Sequence, residues 1–110
     1  MQSSKEVIEI FLDDVKTAIT AGKCKIAPRK KNMDTLAQLG LLSSDAYDMV
    51  YELTYSDYVE GPSTDRDYPL DDDFWVFKIY TMGNIIYIKL KVLYLEDESL
   101  SIVSFHIDGM

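Results

Sequence analysis

Gly83-Asn84-Ile85-Ile86-Tyr87-Ile88-Lys89-Leu90-Lys91-Val92 alternates strictly, with Ile86, Ile88, Leu90 and Val92 at every second position and Tyr87, Lys89 and Lys91 between them. A period of two is that of a β-strand with one face against a core and the other toward water. The strand extends from Ile85 to Leu95, and Gly83-Asn84 before it reads as a tight turn. Phe74 to Met82 is then its upstream partner. Glu96-Asp97-Glu98-Ser99 makes a second turn, and Leu100 to Ile107 the last strand. In that strand Val103, Phe105 and Ile107 are expected to face inward, and Ile102, Ser104 and His106 outward.

Upstream the period changes to that of helices. Ser3 and Glu6 have the spacing of a capping box, and Val7, Ile10, Phe11, Val15, Ala18 and Ile19 follow at helical spacing, predicting a helix from Ser4 to Ala21. Lys23-Cys24-Lys25-Ile26-Ala27-Pro28 reads as an exposed extended connection ending at the basic cluster Arg29-Lys30-Lys31. Asn32 is the expected cap of a second helix containing Met33, Leu36 and Leu39, stopped at Gly40. Ser43 or Ser44 starts a third, with Ala46, Met49, Val50 and Leu53 inward. From Tyr55 to Asp73 periodicity stops, and Gly61-Pro62, Pro69 and the five aspartates from Asp65 onward indicate an irregular loop. Helices followed by a meander define an α+β class: N-terminal helices packed on one face of a C-terminal antiparallel β-sheet, in a single domain spanning 1–110.

Composition narrows the function. The 110 residues carry 11 Lys and Arg against 19 Asp and Glu, a net charge of −8, which argues against a protein that coats nucleic acid. The charge is uneven: seven of the acids lie in 56–73 beside Arg66 alone, whereas residues 74–95 carry Lys78, Lys89 and Lys91 and no acid. Cys24 is the only cysteine, so no disulfide can form within the chain, and a reducing, cytoplasmic setting is expected. No apolar stretch has the length of a membrane span, and no secretory signal is legible at the N-terminus.

If the apolar faces of the strands coincide under the helices, Tyr87, Lys89, Lys91, Ser104 and His106 meet on the open face. Those residue types fit RNA cleavage without a metal or other cofactor. One group takes the 2′-hydroxyl proton, a cation steadies the phosphate, and an acid protonates the leaving oxygen. An open sheet face also carries Lys and Tyr simply through solubility and strand preference. The aspartates Asp65, Asp67, Asp71, Asp72 and Asp73 are hard-cation ligands by type but lack EF-hand spacing, so a solvated or partner-docking loop is the plainer reading. Lys23 and Lys25 beside Cys24 would lower a thiol pKa, but the single histidine is far away in sequence, and Cys24 reads as an ordinary thiol. Trp75, Phe74 and Phe77 read as anchors between sheet and helices.

The runs Leu53-Thr54-Tyr55-Ser56-Asp57-Tyr58, Trp75, Gly83 to Val92 and Ile102-Val103-Ser104-Phe105-His106, in that order, resemble the MqsR family of toxins. The first helix, the Lys-Cys-Lys-Ile segment and Leu39-Gly40-Leu41 are similar too. The resemblance implies a RelE-like fold and a metal-independent endoribonuclease, an mRNA interferase held inactive by a cognate antitoxin. It carries the family's active-site tyrosine onto Tyr87, a strand lysine onto Lys89 and a C-terminal basic position onto His106. Lys91, Ser104, Trp75 and Glu60 are the expected substrate contacts. Two positions depart from the pattern. A family lysine aligns with Glu60 and a family glutamine with Val76, and the better-known members are basic. The alternative is a non-enzymatic acidic module, of a phage or mobile-element kind, that binds a basic partner through the Asp-rich loop 56–73.

Overall fold

The computed structural model describes residues 2–109. Its elements are α1 (Lys5–Thr20), β1 (Cys24–Ile26), α2 (Lys30–Leu39), α3 (Ser43–Tyr51), a 3₁₀ turn at Tyr55–Asp57, β2 (Tyr58–Ser63), β3 (Phe74–Thr81), β4 (Asn84–Leu93) and β5 (Ser99–Ile107). The strands form one sheet in the order β1-β5-β4-β3-β2. The expected α+β plan is therefore present, with the helices N-terminal. The sheet is mixed, not wholly antiparallel, because β1 pairs parallel with β5.

The core lies between α1, α3 and one sheet face. Ile8, Phe11, Leu12, Val15 and Ala18 of α1 meet Trp75, Phe77, Ile86, Ile88, Leu90, Val92, Leu100, Ile102 and Phe105. Phe11 stacks on Trp75 with ring centroids 4.3 Å apart. The buried stripe of α1 is rotated from the one expected, so that Val7 and Ile10 are exposed and Ile8 and Leu12 are inside. Ser4, not Ser3, caps the helix, its hydroxyl accepting from Val7 N–H at 3.3 Å. The Ser3 hydroxyl instead donates to the Gly61 carbonyl at 2.6 Å and ties the N-terminus to β2.

Two segments, one read as an extended connection and one as part of an irregular loop, are strands on opposite sheet edges. β1 is three residues long and ends before Pro28, too short to declare itself by alternation. β2 contains Gly61-Pro62, which would be disruptive centrally but is tolerated at an edge, where a missing N–H leaves no partner unsatisfied. Its pairing with β3 shifts register twice. Gly61 has φ +130°, and a Cβ there would lie 2.9 Å from Trp75 Cα, so only glycine lets β2 approach β3 this closely. The β3–β4 turn falls at Met82-Gly83, both with positive φ, one residue earlier than expected.

The decisive irregularity is in β5. Pairing with β4 runs Ile86↔Ile107, Tyr87↔His106, Ile88↔Phe105 and Lys89↔Ser104, then resumes at Leu90↔Ile102, leaving Val103 as an extra residue. This β-bulge resets the alternation. Ile102 is fully buried in the core, contrary to the outward position that strict alternation assigns, while Ser104 and His106 keep the open face.

Asn32 holds the bulge. It does not cap α2, whose N-cap is Arg29 with no side-chain bond. Fully buried, its Oδ1 accepts from Phe105 N–H at 2.9 Å, and its Nδ2 donates to the carbonyls of Val103 and Ala27, both at 3.0 Å. The side-chain amide thus stands in for a peptide of a neighbouring strand just where β1 ends. One turn on, the Thr35 hydroxyl accepts from Ile107 N–H at 3.1 Å. Asn32→Ala strands these buried groups, and we expect it to lower unfolding free energy by at least about 2 kcal/mol in urea titrations. A loss below about 0.5 kcal/mol would show that water replaces the amide without cost.

Candidate active site

The register builds the open face in rows. Lys78, Tyr87 and His106 are cross-strand neighbours on β3, β4 and β5, and the next row runs Glu60, Val76, Lys89 and Ser104. Beyond these, Lys91 lies opposite Ser101, which pairs with Lys25 of β1. Tyr87, Lys89, Lys91, Ser104 and His106 therefore share one face, as the alternation predicts. Trp75 does not join them. It belongs to the opposite, core face, stacked on Phe11 and 8% exposed.

Tyr87 and His106 form a stacked pair, with ring centroids 5.3 Å apart and planes 24° from parallel. His106 Nδ1 lies 3.0 Å from its neighbour's carbonyl, Ile107 O. A carbonyl can only accept, so this bond requires the proton on Nδ1 and leaves Nε2 as the free nitrogen of the neutral ring. Burial, and then the negative charge of Glu60, raises the Tyr87 phenol above its ordinary value. The phenol is consequently a proton donor across the neutral range. Lys78 forms an ion pair with Asp108 at 3.0 Å, and the Lys89 ammonium sits 4.1 Å from the Phe74 ring centroid. Glu60 accepts from the Ser63 hydroxyl at 3.2 Å.

The far end of this face is covered. Lys91, only 6% exposed, donates to Asp65 at 3.0 Å and to Asp71 at 3.1 Å, which straps the acidic segment 64–73 onto the sheet. Hydrogen bonds from Lys91, and then from Asp67 N–H, hold the Asp65 carboxyl below the usual range. Burial pulls the Lys91 ammonium down, but its bonds to the two carboxylates outweigh this and hold it above its ordinary value. Thus Lys91 is engaged within the chain, and two of the five aspartates serve it.

Cys24 carries no activated thiol. Burial pushes its pKa up to about 11, outweighing any effect of the flanking lysines. The basic cluster Arg29-Lys30-Lys31, read as part of a connection, is instead the start of α2 beside His106. Its signal was present as three consecutive cations, but their proximity to β5 depends on Asn32. Among the described residues no helix is long and apolar enough to cross a membrane.

A family model describing the toxin half of a toxin–antitoxin pair matches residues 9–107, nearly the whole chain. The protein belongs to that family, the MqsR toxins, described as motility quorum-sensing regulator, toxin of MqsA. An antitoxin is its implied partner. A search of curated proteins found no match.

The strap carries its own pH signature. The depressed Asp65 contribution is complete above the ordinary carboxylate value of 3.8 and fades as pH falls through the lower folded value. The elevated Lys91 contribution is complete below 10.5 and fades as pH rises through the higher folded value. At neutral pH both are intact. Asp65→Asn with Asp71→Asn should therefore speed limited trypsin cleavage after exposed Arg66 by about tenfold or more at pH 7.5. An unchanged rate would mean that Lys91 does not hold the segment.

Proposed function

We propose that the protein is a toxin-type endoribonuclease that cuts mRNA at short motifs by 2′-hydroxyl attack, without a metal ion. The stacked Tyr87–His106 pair on the open sheet face, with Lys89 in the adjoining row, is the observation that carries this reading. His106 Nε2 takes the proton from the 2′-hydroxyl. The 2′-oxygen attacks phosphorus, the P–O5′ bond breaks, and the leaving 5′-oxygen gains a proton from the Tyr87 phenol. The products are a 2′,3′-cyclic phosphate and a 5′-hydroxyl. Lys89 supplies positive charge beside the crowded phosphate.

Glu60 has a definite part in this scheme despite replacing a family lysine. Its charge helps keep the Tyr87 phenol protonated, at the expense of one cation for the phosphate. Lys91 contributes to RNA binding only when the acidic strap lifts, and Trp75 supports the face from behind. The reading as an acidic docking module is less well supported, because Asp65 and Asp71 already have a partner in Lys91.

The test is cleavage of a long RNA in EDTA by protein freed of antitoxin, with cut sites mapped by primer extension. Wild type is expected to give discrete cuts, and His106→Ala and Tyr87→Phe to slow them about 10²- to 10⁴-fold. Folded wild-type protein that makes no cuts, or variants that cut at the wild-type rate, would overturn the proposal.

A further inference from the structure

Arg29, Lys30, Lys31, Asn32, Ser104 and His106 line a pocket of about 280 Å³ between the first turn of α2 and the open-face end of β5. Its lining contains no acid, in a chain whose net charge is −8. Lys30 is paired with Asp34 at 2.6 Å, while Arg29 and Lys31 have no ion pair among the described residues. Both are exposed.

Two further features mark the pocket as built for an anion. Arg29 gives α2 no side-chain cap, so first-turn N–H groups of this ten-residue helix remain open toward the pocket end. Independently, Ser104 is 4% exposed and lines the pocket, yet its hydroxyl makes no hydrogen bond among the described residues. Among the described residues no buried side-chain oxygen lacks a partner, so this unbonded hydroxyl oxygen is itself reachable from outside. Here the open direction is the pocket, where a phosphate oxygen can accept from it.

We propose that this pocket binds a backbone phosphate of single-stranded RNA, the one adjacent to the phosphate cut at Tyr87 and His106. His106 belongs to both the pocket and the stacked pair, so a strand crossing the open face passes both in succession. The adjacency rests on the ribonuclease reading; binding of phosphate in the pocket does not. The pocket accounts for how an acidic protein holds a polyanion. Cations are concentrated on the α2 side of the face, and the acidic segment is tied down at the other end by Lys91.

The experiment uses fluorescein-labelled 2′-O-methyl RNA, which lacks the attacking hydroxyl and cannot be cut. Binding is followed by anisotropy across a salt series. Arg29→Ala with Lys31→Ala is expected to weaken binding at least tenfold and to flatten the slope of log Kd against log salt by about 0.7, the value for one phosphate contact on a single strand. Ser104→Ala, which removes no internal bond, should weaken it about threefold to tenfold. Lys5→Ala with Lys16→Ala, two cations on α1, is the charge-matched control and should change it less than twofold. Equal weakening in the control, or full affinity and slope in the Arg29/Lys31 variant, would overturn the pocket. Wild-type protein that fails to bind this RNA would do the same. The same variants assayed on cleavable RNA separate the two readings. Binding that depends on the pocket without any wild-type cleavage refutes the adjacency and the nuclease but supports the phosphate site. Cleavage by wild type with pocket-independent binding refutes only the site.

Discussion

The Asn32 side-chain amide, bonded to Val103, Phe105 and Ala27, is the constraint on which the rest of the structure depends. β1 pairs with β5 only as far as Ile26↔Ile102, and beyond that point the β5 edge would present unpaired peptide groups. Asn32 and Thr35 close that edge from α2. They also fix the extra residue at Val103, and the bulge decides what each side of β5 presents. Below it, Leu100 and Ile102 enter the core; above it, Phe105 does so while Ser104 and His106 turn to the open face. The same bonds hold the first turn of α2 against β5, which brings Arg29, Lys30 and Lys31 to His106.

Charge is distributed so that an acidic chain carries a locally basic face. The cations of the open face are not equivalent. Lys91 is buried between two carboxylates, Lys78 is paired with Asp108, Lys89 is near Phe74, and Arg29 and Lys31 are open. The local field at the Tyr87–His106 pair is consequently governed by near neighbours more than by the net charge, because interactions beyond about 8 Å are largely screened at physiological ionic strength. Glu60 is the counterexample, a near neighbour that acts on Tyr87 by raising its pKa.

Membership of the MqsR toxin family and the geometry bear on different levels of the function. The family supplies the toxin role and the antitoxin partner. The geometry supplies a histidine with one free nitrogen, a phenol kept protonated and a neighbouring lysine, a set with separate acid, base and charge-stabilising capacities. Nothing in the arrangement requires Trp75 at the substrate. Its ring completes the packing of α1 on β3, and Gly61 lets the edge strand β2 close over its backbone.

The sequence by itself determined the α+β plan, the long strand, read as Ile85 to Leu95 and found at Asn84–Leu93, the Gly40 helix stop and the open face carrying Tyr87, Lys89 and Lys91. These are local properties: a two- or 3.6-residue period records on which side of one element water lies, and a glycine records a left-handed turn. Only the tertiary structure decided the bulge at Val103, the inward turn of Ile102, the edge strands β1 and β2, and the change of Asn32 from cap to sheet partner. It also decided that Lys91 closes on Asp65 and Asp71 and that Cys24 is half-buried, which pushes its thiol pKa up. Each of these depends on what a residue meets from far along the chain. Asn32 and Phe105, 73 positions apart, have no shared pattern in the sequence, and only their hydrogen bond shows why both are where they are.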